Sequence, residues 1–253
     1  KISGCVNHGQ VLAEAPDGGI IGGYFGFDTV LGESKRGILL VENCKNTGEV
    51  VCKSSILGTG GILGLLSPDH DGIQIRNCIN TGKISMESVG RLGGILGNVD
   101  ITKKENENWI IEGCMNTGTI QYSEGKQPFT EEAKEKVFGT AKAPEDKTIS
   151  MMGGSCMGGI AGQIYGGSIK NCLTTGDVLI NEDYAGFIGA VCGQVFTVGI
   201  NSEGKGYIFD CKYPDIYPFA TIVPLEIEGD QSVQNTYGIS KEETEKLVQE
   251  YAR

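Results

Sequence analysis

The chain has no run approaching the roughly 18 uninterrupted apolar residues of a membrane-spanning helix. It carries one tryptophan, two histidines and seven prolines in 253 residues. Neither Cys-x-x-Cys nor His-Glu-x-x-His occurs. A paired-cysteine structural zinc and the helix-borne zinc of metallopeptidases are therefore both excluded. Positive charge is scarce: 21 Lys and Arg stand against 32 Asp and Glu, a formal charge of -11. That balance repels phosphate backbones and anionic membrane surfaces, and nucleic acid is discarded as a partner. Residue 1 begins no signal peptide; the chain opens inside a repeat unit, ISGCVNHG, and reads as a mature or trimmed piece of something longer.

What it has in excess is glycine, 40 residues, together with nine cysteines. Six segments align on a cysteine: ISGCVNHGQV, VENCKNTGEV, IRNCINTGKI, IEGCMNTGTI, IKNCLTTGDV and the degenerate IFDCKYPDIY. Cys5, Cys44, Cys78, Cys114, Cys172 and Cys211 are separated by 39, 34, 36, 58 and 39 residues. A period of this length signals stacked supersecondary units. An aliphatic residue precedes each cysteine by three positions, and another follows it by six in the first five units. The alternation is strand-like and Asn-Thr-Gly is turn chemistry, the glycine supplying a backbone conformation closed to other residues. A third element is a glycine-framed aliphatic pair: GGIIG at 18, GGILG at 60 and 93, GGIAG at 158 and a looser AGFIG at 185.

Three short strands with corners in each unit describe one turn of a parallel β-helix, whose strands bond to their counterparts one coil away. The fold expected is all-β, a solenoid of about five to six coils over residues 1–212, with one polar insertion at about 121–152 and a short C-terminal helix. At about 4.8 Å per coil the stack is on the order of 25 Å long. Each motif position then lies above its own copy, so repetition is a packing requirement. The six cysteines form a column of small core residues. Asn7, Asn46, Asn80 and Asn116 form a hydrogen-bonded ladder along one corner, broken by Thr174.

GGI(L/I/A)G followed by Cys-x-Asn-x-Gly resembles the GLUG-type repeat family of large bacterial surface proteins, including noncatalytic regions of IgA-specific metallopeptidases. The resemblance covers residues 1 to about 200. It implies a β-helical module that is extracellular, on the bacterial cell surface or secreted, and it carries no catalytic residues.

The connections between the glycine strand and the next cysteine strand vary in length, and stacking brings them to one edge. Asp28, Glu33, Asp69, Asp71 and Asp100 fall there. Asp69, Asp71 and Asp100 are candidate calcium ligands through their carboxylate oxygens, against the plainer reading of scattered surface acids. His70, between two acids, and Trp109 join them as candidate ligand-binding residues, while His8 reads as a corner residue rather than a base. Aromatics exposed on a face, Tyr122, Tyr165 and Tyr184 among them, suit sugar stacking. In the insertion, Thr130 caps a short helix with Phe129, Ala133 and Val137 on one side, ending at Gly139; the segment reads as a surface flap or a binding lid. Residues 213–253 form a degenerate last repeat and a cap over the open end of the stack. Its helix, at about 240–252, starts from a Ser240–Glu243 capping box and buries Leu247, Val248 and Tyr251.

Stacked cysteine β-carbons lie slightly too far apart for a relaxed disulfide, so buried free thiols are expected, with Cys52, Cys156 and Cys192 left open. Three functions compete. A noncatalytic scaffold or adhesion module, with no resident cofactor beyond possible calcium, presents loops to a host or matrix protein or a glycan, as a monomer or a segment of a longer chain. A polysaccharide lyase or hydrolase on the same fold requires converging carboxylates or a base, and Asp69, Asp71 and Asp100 with Arg76 or Arg91 are the grouping to test. A passive spacer requires neither.

Overall fold

The structure is a computed structural model describing residues 1–24, 38–53, 57–66, 73–88, 90–99, 110–122, 127–128, 137–138, 155–165, 167–181, 184, 186–196, 207–219, 222–224 and 233–252. Among them the strands form five sheets, two of seven strands and three of six. Apart from Gln127–Pro128, every pairing is parallel and joins one coil to the next. The protein is a parallel β-helix. Each complete coil has five faces rather than the three strands expected. In the second coil these are Leu39–Glu42, Lys45–Asn46, Val50–Cys52, Thr59–Gly60 and Leu63–Leu66.

Inward-pointing residues stack in register. Ile2, Val41, Ile75, Ile111, Ile169, Ile208 and Val233 form one column of the first face. Val11, Val50, Ile84, Ile120 and Val178 form one of the third. The interior divides into two apolar lobes. One packs the first-face column and the cysteines against the fifth face; the other packs the third face against Leu92, Met157 and Ile188 of the fourth. Burial of such columns is the main favourable term of the stack.

The motif glycines are needed for close approach, not for the conformational freedom expected of the Asn-x-Gly glycine. A Cβ on Gly48, Gly82, Gly118 or Gly176 would overlap the carbonyl oxygen of the equivalent glycine one coil earlier. In GGI(L)G, the second glycine (Gly19, Gly61, Gly94) lies against the next coil's Asn46, Asn80 or Asn116. The last (Gly97, Gly162, Gly193) lies against the backbone of the fourth face. The left-handed backbone sits elsewhere, on the residue before each cysteine: Gly4, Asn43, Asn77, Gly113, Asn171 and Asp210, with φ of 66°, 53°, 50°, 62°, 48° and 53°. Glycine, asparagine and aspartate are the residues that tolerate it.

Register also relocates the fifth glycine motif. Gly158 pairs with Gly189 and Ala161 with Cys192, so GAVCG at 189–193, not AGFIG at 185, is the copy of GGIAG.

The C-terminal end is closed from three sources. Tyr207–Phe209, Lys212–Pro214 and Ile222–Pro224 supply a sixth coil on the first, second and fifth faces. The insertion supplies the other two: Gln127–Pro128 pairs antiparallel with Leu179–Ile180, and Val137–Phe138 pairs parallel with Gly186–Phe187. Val137 thus lies in a strand, not in the expected helix, because an open sheet edge captures the β-prone Val-Phe pair; residues 129–136 lie outside the described residues. Val233–Gln234 and Tyr237–Ile239 form a partial seventh coil. The helix Lys241–Tyr251 follows, with Ser240 Oγ accepting from the Glu243 amide at 3.3 Å. Leu247, Val248 and Tyr251 pack, together with Ile79, on Met115, Leu173 and Ile239. Ile79, Met115 and Leu173 are an outward column of the second face, so the helix buttresses a flank of the stack rather than covering its end. No described helix is long and apolar enough to cross a membrane.

Candidate functional site

The connections from the fifth face to the first leave the stack at paired positions. Leu66 pairs with Val99 at the start of two successive connections, and Gln74 with Ile110 at their ends. The described residues flanking 67–72 and 100–109 therefore lie side by side. The candidate residues they carry, Asp69, His70, Asp71, Asp100 and Trp109, lie outside the described residues, as do Asp28 and Glu33. Among the described residues no group of three or more His, Cys, Asp or Glu gathers as a metal site.

The two candidate basic residues lie on different faces. Arg76 belongs to an outward column of the first face, Glu42, Arg76, Glu112 and Lys170, where charge alternates from coil to coil. Arg76 Nε lies 3.5 Å from Glu112 Oε2, and Lys1 Nζ lies 2.6 Å from Glu42 Oε1. Cross-strand pairs of opposite charge stabilise a sheet modestly and fix its register. Arg91 stands on the fourth face and donates through Nε to Gln163 Oε1 at 2.7 Å. Of the expected surface aromatics, Tyr122 and Tyr184 both pack into the second lobe. Tyr184 is fully buried, its hydroxyl donating to the Phe187 carbonyl at 3.0 Å, with Tyr122 edge-on at 4.9 Å. Tyr184 is a core residue, since the second lobe needs its volume and supplies its hydroxyl a partner.

Three sets of buried polar groups stand out among the described residues. In the asparagine ladder, Asn7 Nδ2 donates to Asn46 Oδ1 at 2.7 Å, Asn46 to Asn80 at 2.8 Å and Asn80 to Asn116 at 2.7 Å. The second hydrogen of each amide goes to the carbonyl of its own Asn-x-Gly glycine. An amide carries two donors and one acceptor oxygen, so asparagine can serve its own turn and the next coil together. A second row joins Arg91, Gln163 and Gln194: Gln163 Nε2 donates to Gln194 Oε1 at 3.0 Å, and the Cys156 thiol to the same oxygen at 3.2 Å. Third, Asp17, 2% exposed, accepts from Thr59 Oγ1 at 2.7 Å. Burial pushes its carboxyl up to about 6, against the hydrogen bonds from Thr59 and Cys52 that lower it.

All nine cysteines are free thiols, and all but Cys5 are buried. In the column each S–H donates to the carbonyl two residues back, at 3.3 Å in Cys44, Cys78 and Cys211. The cysteines left open from sequence all join the interior: Cys52 in the second lobe, Cys192 in the first, and Cys156 in the glutamine row. Burial pushes the Cys156 thiol up to about 12 and those of Cys172 and Cys192 up as well. They remain protonated and poor nucleophiles at neutral pH. His8 has Nδ1 2.7 Å from Thr47 Oγ1 at an exposed corner. Thr236 was missed: it stands three residues after Val233, where earlier coils have cysteine, follows the left-handed Asn235 (φ 47°), and its hydroxyl accepts from the Cys211 amide at 3.1 Å. The signal was V-x-x-T in the place of I-x-x-C.

No family model, curated protein or solved structure matches the chain.

Proposed function

We propose that the chain is a noncatalytic scaffold or adhesion module of a bacterial extracellular protein, of the GLUG-type repeat class, whose edge loops meet a protein or glycan ligand. The observation that carries this reading is the alignment of the connections. In successive coils the chain leaves the fifth face and re-enters the first around segments 25–38, 67–72, 100–109, 166–167 and 197–206, which differ widely in length while the strands beside them keep register. A frame that holds its strands constant and varies one edge is suited to display, because binding residues concentrate on loops set by a rigid scaffold. The asparagine ladder supports the same reading, since its amides bond from coil to coil and to their own turns.

The test is binding of the chain to glycan and matrix-protein arrays with and without calcium, beside variants in which 67–72 or 100–109 is replaced by a short glycine link. Calcium-dependent binding that is lost with either loop, at unchanged thermal midpoint, is the expected result, with Asp69, Asp71 and Asp100 holding the ion and His70 and Trp109 contacting the ligand. Equal binding by the shortened variants defeats the reading. Turnover of a polysaccharide that disappears in Asp69→Ala replaces it with a lyase or hydrolase, and absence of any ligand leaves a spacer.

A further inference from the structure

The outward side of the second face changes character along the stack. Its column runs Lys45, Ile79, Met115, Leu173 and Lys212 from the second coil to the sixth. Lysine pairs in register on either side, so the ladder itself asks for nothing apolar between them. Met115 and Leu173 are nevertheless buried, with Leu247, Val248 and Tyr251 of the helix Lys241–Tyr251 packed on them. Their identity answers to a helix, not to the coil.

The grip of that helix is light. None of its residues is buried, and the three apolar ones are half-buried. Beyond them, among the described residues, it holds the flank through the Tyr251 hydroxyl, which donates to the Asn171 carbonyl. An isolated helix below about 12 to 15 residues is marginal in water, and this one has 11. Its last turn carries Glu250 and no basic residue, against the sign the helix dipole favours there. The exposed pairs Lys241–Glu245 and Lys246–Glu250, at 4.0 Å, run lysine first, the weaker order. Nor does the ladder pass through the helix: Tyr237–Ile239 completes its pairing with Lys212–Pro214 before Ser240 caps the first turn. The helix can leave while every rung stays paired.

We propose that the helix is a releasable strap, and that the face under it is a docking groove for an amphipathic helix of another polypeptide. The occupant's chemistry is fixed by the helix already there: an aliphatic pair and a tyrosine in the spacing of Leu247, Val248 and Tyr251, laid over Met115 and Leu173. Apolar anchors at helical spacing are how a groove reads such a partner. This surface is distinct from the edge connections between the fifth and first faces.

The probe is a labelled peptide of residues 240–253, SKEETEKLVQEYAR. It is titrated against the whole native chain and against the whole chain carrying Leu247→Asp and Tyr251→Asp, which frees the face and leaves the stack untouched. The released variant should bind saturably and at least ~10-fold more tightly than the native chain. In the native chain the helix amides should exchange with solvent well before those of the central strands. Met115→Lys added to the released variant should abolish binding at an unchanged thermal midpoint, since lysine already holds this position in two coils; Leu173→Lys is its companion should the first disturb the coil. No binding by the released variant, binding indifferent to both lysine substitutions, or helix amides as protected as the strands each overturns the proposal. Self-association of the released variant that Met115→Lys abolishes also overturns it, because the occupant is then a second copy.

Discussion

Replacing Asn80 with alanine removes an acceptor from Asn46 and a donor from Asn116 at a position with no solvent exposure. Each unsatisfied buried group costs about 1 to 3 kcal/mol, so the loss in unfolding free energy should be about 3 kcal/mol or more, while Asn7→Ala, at the half-buried end, should cost about 1. Urea titration of the two variants checks the ratio. Asp17 gives a pH dependence. Its carboxyl holds its proton up to about 6 in the folded chain against an ordinary 3.8, so the folded state binds the proton more tightly. Stability is then full below about pH 4, falls as pH rises through 6 by about 2 to 3 kcal/mol, and levels off above. Glu42 and Glu49 are held low by Lys1 and by Gln10 respectively and act in the opposite sense, below pH 4.5. Thermal midpoints between pH 5 and 7 should slope downward in the native chain and be flat in Asp17→Asn. Thiol reagent added to the folded chain should modify Cys5 and spare the other eight until denaturant is added.

At the scale of elements, the glycine columns set how closely coils approach. Gly82→Ala places a methyl on the Gly48 carbonyl and should prevent cooperative folding or lower the thermal midpoint severely, because backbone on both sides leaves nothing to yield. The coil, its period, the inward aliphatic columns and the C-terminal helix were legible in the sequence because each rests on a spacing that repeats or on a local capping pattern. Two things were not. The second face lies inside the Asn-x-Gly stretch that reads as a turn, the fourth and fifth strands are divided only by a glycine corner so that one text segment hides two faces, and Cys192 and Ala190 disguise the GAVCG copy. The insertion's strands were hidden because Val137–Phe138 pairs with a segment some 50 residues away, and no local pattern announces a long-range partner. The described residues that flank 67–72 and 100–109 are in register, while the candidate residues between them lie outside the described residues; a loop residue has no register of its own for a repeat to announce.

For the whole molecule, the chain closes its C-terminal end with segments borrowed from elsewhere in the sequence. Replacing residues 123–154 with a short flexible link uncovers Leu179–Ile180 and Gly186–Phe187, and the variant should self-associate on gel filtration while the native chain at equal concentration does not. The same closure bears on how the protein takes mechanical load. The insertion leaves the fourth coil and binds strands of the fifth, fastening two neighbouring layers together outside their regular ladder. Drawn apart by its termini, the solenoid should unspool layer by layer at low force until tension reaches this clasp, where the trace should rise to its highest rupture.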